Sequence, residues 1–476
     1  MSNIRSGWIL AWVVAGLQVL AAGQEQPAPV QPVENASDSG ERTAPAAAVS
    51  NLAGLDTGIG YEDSSKTLPQ IPGVLGGLGI SPAFLAELER KNYLRAGVNV
   101  GAAYDDNPLL LSSGAAGNTS VSIFPNLSIE ESSSRLRWAL GYAGGLTVNQ
   151  RFTNQNQGSH SLIFDSQYRL SPHVNLRVAE SFYLTTGFFD SGNVGGVTGS
   201  GGPNGSLLTP LATERSSTTT VEANYHVALN DLVGASGSFY DLHFTNVPTS
   251  TQSSTPLTDS ETSSGSAFWL HRIFRDDWGG ATYRVARITF NGGESRVHSF
   301  LAVNTLNLSN RFTLTGFVGP QYSENQGLLV AGTSPNVWSL SGGAEGGWRD
   351  QRTNVFGGYS RSVSDGGGIL GAVRLQNVYA NLRRELVPGW AAAVTASHGS
   401  NHALLLLSPS SASSINLTSF GVSLERNVGK SVGLRMGYSH DLEQEAGLPA
   451  PSPTYDAHRN RFFVTLSYQW AKPLGL

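Results

Sequence analysis

A chain of 476 residues has room for two or three ordinary domains, yet only 14% of its residues are charged, against about 25% in a typical soluble domain. Hydrophobic residues make up 39%, and beyond the N-terminus no stretch approaches the ~18 continuous apolar residues of a membrane helix, which excludes a helical membrane protein. The net charge of −5 gives no reason to expect nucleic acid as a partner, and the lack of cysteine excludes a lipid-modified anchor, a disulfide framework and thiolate metal ligation.

Residues 1–23 read as a signal peptide. Arg5 supplies positive charge, Trp8 to Leu20 an apolar stretch, and Ala21-Ala22-Gly23 a small-residue cleavage site before Gln24. Residues 24–50, with Pro27, Pro29, Pro32 and Pro45 among Ala, Gln and Ser, have the composition of a disordered tether. Residues 51–92 form a periplasmic lead-in, in which Ser81-Pro82 can cap a short helix to about Lys91.

From residue 93 to 470 one unit recurs: a segment with period-two alternation, then a connection rich in Gly, Ser, Asn, Asp or Pro. Alternation disperses apolar residues over one face of each strand, which reconciles low charge with the lack of long apolar runs. The pattern predicts an all-β fold, a transmembrane antiparallel β-barrel of about 18 strands, with about 16 to 20 compatible with the ambiguous segments near 232–244, 260–273, 296–308 and 373–383.

The first segment contains Gly97-Val98-Asn99-Val100-Gly101-Ala102-Ala103-Tyr104-Asp105-Asp106-Asn107. This stretch resembles the first strand and exit turn of the outer-membrane β-barrel porins associated with exopolysaccharide biosynthesis and export, several of which carry Tyr-Asp-Asp-Asn or Tyr-x-Asp-Asn there. The resemblance implies a porin-like channel and polysaccharide export components among its partners. Read from the residues, Tyr104 anchors a strand end, and Asp105-Asp106-Asn107 before Pro108 forms a turn. A divalent-cation site is the other reading, though two adjacent carboxylates are a poor cage for calcium.

Further along, Leu136, Trp138, Leu140, Tyr142, Leu146 and Val148 share one face, opposite Arg137, Thr147 and Asn149. On the fifth segment Glu180 falls among Val174, Leu176, Val178, Phe182 and Leu184, a lipid-facing set, so a bulge that turns it inward is expected. Short connections at 132–134, 171–172, 230–231, 275–277, 309–311, 350–352, 386–389 and 427–430 alternate with longer ones, the largest at 186–213, 245–259, 399–414 and 442–457. That is the pattern of periplasmic turns and external loops, and an even strand number puts both termini in the periplasm. Trp138, Trp278, Trp348, Trp390 and Trp470 fall at matching depths near the short turns, as expected of an interfacial girdle. The last strand, Phe462 to Trp470, is followed by a tail, 471–476, whereas outer-membrane barrels commonly end on an aromatic residue.

No catalytic constellation assembles. His440 and Asp441 are adjacent on a strand and point to opposite faces, His398 and His402 lack a third ligand, and the Gly-rich stretches 195–205 and 366–368 lack the setting of a phosphate loop. The expectation is a protein that is not an enzyme and holds no cofactor or metal. Alternation turns Arg95, Arg137, Arg169, Arg177, Arg284 and Arg435 towards the lumen with Asp165, Glu222, Glu345 and Glu425. These charges either pair across strands to stiffen the wall or line a pore with a slight anion preference. The expected function is an outer-membrane channel for polysaccharide export or passive diffusion of small solutes. A closed barrel serving structure or adhesion is the alternative, and an outer-membrane hydrolase a distant third. Expected partners are outer-membrane lipid and lipopolysaccharide and the barrel assembly machinery.

Overall fold

The computed structural model describes residues 92–153, 156–185, 213–245, 257–274, 277–309, 311–330, 334–367, 370–406, 412–429, 431–447 and 454–474. The expected signal peptide, tether and capped helix lie outside them, as do most of 186–213 and the Gly-rich stretch 195–205. None of the described residues lies in an α-helix.

The chain forms β1 (Tyr93–Asp105), β2 (Asn118–Ser132), β3 (Leu136–Asn149), β4 (Gln157–Arg169), β5 (Val174–Thr185) and β6 (Thr213–Ala228). There follow β7 (Asp231–Thr245), β8 (Ser260–Arg272), β9 (Trp278–Phe290), β10 (Gly293–Ser309), β11 (Phe312–Leu329) and β12 (Asn336–Arg349). The circuit is completed by β13 (Thr353–Gly366), β14 (Leu370–Val387), β15 (Trp390–Ala403), β17 (Ser414–Val428), β18 (Val432–Ala446) and β19 (Thr454–Pro473). The two-residue β16 (Leu405–Leu406) stands apart from that circuit and pairs with the tip of β11.

Each long strand pairs antiparallel with its sequence neighbours, and β19 pairs with β1 along its length, so the sheet is a closed barrel of 18 strands with no free edge. Following the register once around returns to β1 displaced by about 22 residues, which for this strand number sets a tilt of about 40° and a backbone diameter of about 35 Å.

The two faces of the wall differ chemically. On β19, Phe462, Val464, Leu466, Tyr468 and Trp470 are each about half exposed, while Phe463 and Ser467 between them are buried. Val121, Ile123, Tyr142, Leu146, Phe300, Val318, Leu340 and Phe420 continue the exposed set on other strands. An apolar belt of this extent far exceeds the patches of soluble monomers and is the surface a barrel offers to lipid. The opposite face carries Ser120, Ser122, Thr147, Asn149, Ser299, Thr315 and Gln321, all buried.

Three expectations need correction. Glu180 is not turned inward: β4–β5 and β5–β6 keep an unbroken register through it, and it stays on the outer face opposite Phe164 and Thr219. Ser217 donates to its Oε1 at 2.9 Å and Thr219 to its Oε2, so hydroxyls of β6, rather than a bulge, accommodate the carboxylate. Trp278 sits at the expected depth but on the inner face, packed with Leu232, Phe268, Leu270, Leu301, Val303 and Phe317, with Arg272 5.0 Å above its ring. Finally, several long connections are shorter than expected. β15 continues to Ala403, β18 to Ala446, and β9 and β10 are joined by Asn291 and Gly292 alone, because these strands extend past the apolar belt that marks them in the sequence.

Candidate functional site

Pairing places all ten charged positions singled out from the sequence on the inner face. Arg95, Arg137, Asp165, Arg169 and Arg177 lie on β1, β3, β4 and β5, and Glu222 lies on β6 opposite Arg177. Arg284 is on β9, Glu345 on β12, and Glu425 on β17 opposite Arg435 of β18.

Many of them are engaged with neighbours. The Arg177 guanidinium donates to Asp165 at 2.9 Å through Nε, with a second bond through Nη2, and Glu222 accepts from Asn224 at 2.6 Å. Arg95 lies 3.9 Å from Glu130. Glu425 accepts from Arg383 at 3.1 Å and lies 3.5 Å from Arg435, and Glu345 accepts the phenol proton of Tyr379. Arg284 differs. It stands between Ser266 of β8 and Ser299 of β10, in a band of hydroxyls that includes the Ser236–Ser266 and Ser238–Ser264 bonds of 2.8 and 2.7 Å, and among the described residues it forms no ion pair.

A second ionic group escapes the sequence pattern. On the inner face of β18 and β19, near the long-loop end, Arg459 donates to Asp441 at 2.9 Å and lies 4.0 Å from Asp105, while Ser419 donates to the other Asp441 oxygen at 2.7 Å. Arg461, Glu443 and Glu445 are buried on the same face. With Asp105, Glu130, Asp441, Glu443 and Glu445 set against Arg383, Arg459 and Arg461, the excess of arginine over acids on the inner face disappears. The available signal was parity: Arg459 and Arg461 are in phase with Thr465 and Ser467, but the polar run before Phe462 hid the start of the strand.

The Tyr104-Asp105-Asp106-Asn107 segment forms a turn that clasps the barrel seam. Tyr104 is on the outer face and half exposed. Asp105 accepts from the Asn107 N–H at 2.9 Å, an Asx turn, and Asp106 accepts from the backbone and side-chain nitrogens of Asn460, both at 2.7 Å. Asn107 donates to the carbonyls of Leu111 and His458 at 2.7 and 2.8 Å, and Tyr455 donates to the carbonyl of Leu110. The Asp106 carboxylate is thus committed to β19 and that of Asp105 to its own turn, 4.0 Å from Arg459, and no group of three or more potential metal ligands occurs among the described residues.

At the long-loop end, part of the wall folds over the mouth. The tip of the β13–β14 hairpin leaves the wall: Ser260 of β8 donates to Asp365 at 3.2 Å, and Val363 packs on Ile288 and Val297 of β9 and β10. The chain after β15 lies upon it. Leu404 donates to the Ala372 carbonyl at 2.7 Å, and β16 pairs with Leu328 and Leu329 of β11. Leu370, Val373, Ala403, Ala412 and Ile415 form its apolar interior. Gly371 allows the close approach, since a Cβ there would stand 2.6 Å from the Leu405 carbonyl oxygen and 2.8 Å from the Phe290 ring.

No family model matches the chain, and no curated protein matches it. Among solved structures it resembles OpdO of Pseudomonas aeruginosa, at 12% identity with a TM-score of 0.41, covering 80% of this chain and 97% of that one. It also resembles OpdK of the same organism bound to vanillate, at 9% identity and 0.39, covering 80% and 99%. OccAB3 of Acinetobacter baumannii stands at 10% and 0.39, with 80% and 99% covered. The barrel described above stands on its own strand pairings rather than on these overlaps.

Proposed function

We propose that this chain is an outer-membrane channel through which small solutes diffuse passively. The observation that carries the reading is the closed ring of 18 strands with an apolar outer face and a polar, charged inner face. A wall of about 35 Å diameter is wider than side chains from opposite strands can fill, so a single inward layer leaves room for water. The exposed apolar belt belongs in lipid, and the short turns belong on the periplasmic side with both termini.

Polysaccharide export, implied by the Gly97–Asn107 resemblance, draws no support from that segment's geometry. Tyr104 faces outward, Asp106 and Asn107 are occupied in holding the turn to β19, and Asp105 accepts from the Asn107 N–H within the turn itself. Small solutes are therefore the preferred cargo. Purified full-length protein added to a planar bilayer should give stepwise, ohmic conductance. Insertion without conductance would overturn the channel and favour the closed scaffold.

A further inference from the structure

Charged side chains on the outer face near the long-loop end are treated in two ways. On β6–β7 and β9–β10 the arginines meet carboxylates: Arg215 lies 3.5 Å from Asp241, and Arg287 and Arg296 lie 2.6 and 2.7 Å from the two oxygens of Glu294. On β13 and β14 they do not. Arg361 and Arg374 occupy outer-face positions in phase with the exposed Tyr359 and Val378, and among the described residues neither forms an ion pair. The Nε of each is buried without a hydrogen-bond partner.

Register brings these two side chains together with further donors. Arg361 is opposite Gln376, two residues along β14 from Arg374, and Arg374 is directly opposite the exposed His402 of β15. Arg361 stands on the last rung before the hairpin turns, and Arg374 on the first rung of the turn, since Val363, opposite it on β13, already packs against the cluster on β9 and β10. On the adjoining rungs Ser400 donates to Asn416 at 2.7 Å, and His398 Nδ1 is 2.9 Å from the Thr418 hydroxyl. Beside Arg361, β12 presents Gly342, which contributes no side chain. Towards the short-turn end the same face turns apolar through Tyr359, Val378, Val394 and Phe420, all exposed.

Like charges on neighbouring cross-strand positions repel, and without a carboxylate between them the arrangement calls for an anion from outside. The level is that at which the apolar belt ends, where lipid headgroups lie. A phosphoryl group offers several charged acceptors to two guanidiniums, and acyl chains attached to it would continue along the apolar rungs below. We propose that the outer face of β13–β15 at the long-loop end binds the phosphorylated headgroup of a membrane lipid, with Arg361 and Arg374 holding the phosphoryl oxygens and His402 beside them. The proposal rests on the belt being in lipid and is independent of conductance.

The test uses the full-length protein in neutral detergent, titrated with diphosphorylated lipid A and with the same lipid stripped of both phosphates, with bound lipid read by native mass spectrometry. The wild type should hold the phosphorylated lipid about tenfold more tightly. The R361Q/R374Q variant should fall to the level of the stripped lipid, whereas R287Q/R296Q, which alters arginines already paired with Glu294, should not. A wild type that does not distinguish the two lipids overturns the proposal without any variant, as does an R361Q/R374Q protein that binds as tightly as the wild type. Inorganic phosphate competing as strongly as the lipid would mark a free-phosphate site and overturn the lipid assignment. A protein that binds the phosphorylated lipid but carries no current would overturn the channel and leave this site standing.

Discussion

The outer face of β5 holds a carboxylate where alternation calls for an apolar group. Glu180 is tolerated because Ser217 and Thr219 donate to its two oxygens from β6. Replacing both donors by alanine leaves that charge without partners beside lipid, and S217A/T219A should lose about 2 kcal/mol of stability. Adding E180V to that pair should restore most of the loss. Urea unfolding in detergent or vesicles measures both, and a triple variant no more stable than the double would show that the hydroxyls do not act through Glu180. Parity alone placed Glu180 on the outer face. Its donors lie 37 and 39 residues away, across a hairpin whose register no single-strand pattern reveals. The Tyr-Asp-Asp-Asn turn is a second case. Its residues read as a turn from composition, but their role as a clasp depends on Asn460 and His458, more than 350 positions away. N107A removes donors to two carbonyls and an acceptor for the Leu111 N–H. It should lower stability by about 1–2 kcal/mol and lower the temperature at which the folded gel band is lost. An unchanged transition would show that the long β1–β19 ladder holds the seam unaided.

Strands were legible where their two faces contrast and obscure where they do not. Alternation marks a strand only while one face meets lipid and the side chains are large enough to differ. At the centres of β7 and β8, Gly234 to Ser238 and Ser263 to Ser266 are all small, so both strands read ambiguously. Beyond the belt both faces are polar, which is why β15, β18 and β19 run further than their apolar residues announce. Trp278 shares its parity with Arg284, so its inward direction could be read from the strand, but tryptophan is as much at home in an interfacial girdle as in a cluster. The folded-over hairpin was not legible at all, because it depends on contacts of β13 with β8, of β14 with the chain after β15, and of β16 with β11. G371V would force a branched side chain against the Leu405 carbonyl and the Phe290 ring and should release that hairpin from the mouth. On the channel reading its single-channel conductance should rise, roughly twofold if the hairpin covers half of the opening. Equal conductance in the two proteins would mean that the hairpin does not narrow the path.

Taken around the whole barrel, strand number and register displacement fix a wide ring, so selectivity depends on the sum of charge along its wall rather than on a tight fit. Acids and arginines on the inner face nearly balance, and a wild-type channel should therefore be weakly selective. Ion pairs such as Arg177 with Asp165 add little net field, whereas Arg284 stands among hydroxyls with no carboxylate bonded to it among the described residues. R284Q should shift the reversal potential in a salt gradient towards cations, with a roughly twofold change in the permeability ratio. The paired replacement R177Q/D165N, which removes one charge of each sign, should leave it unchanged. Raising the salt towards 1 M, where the screening length is about 3 Å, should shrink the R284Q effect. A reversal potential that responds to the Arg177–Asp165 pair and not to Arg284 would place the permeation path along β4 and β5 and away from the hydroxyl band of β7–β10.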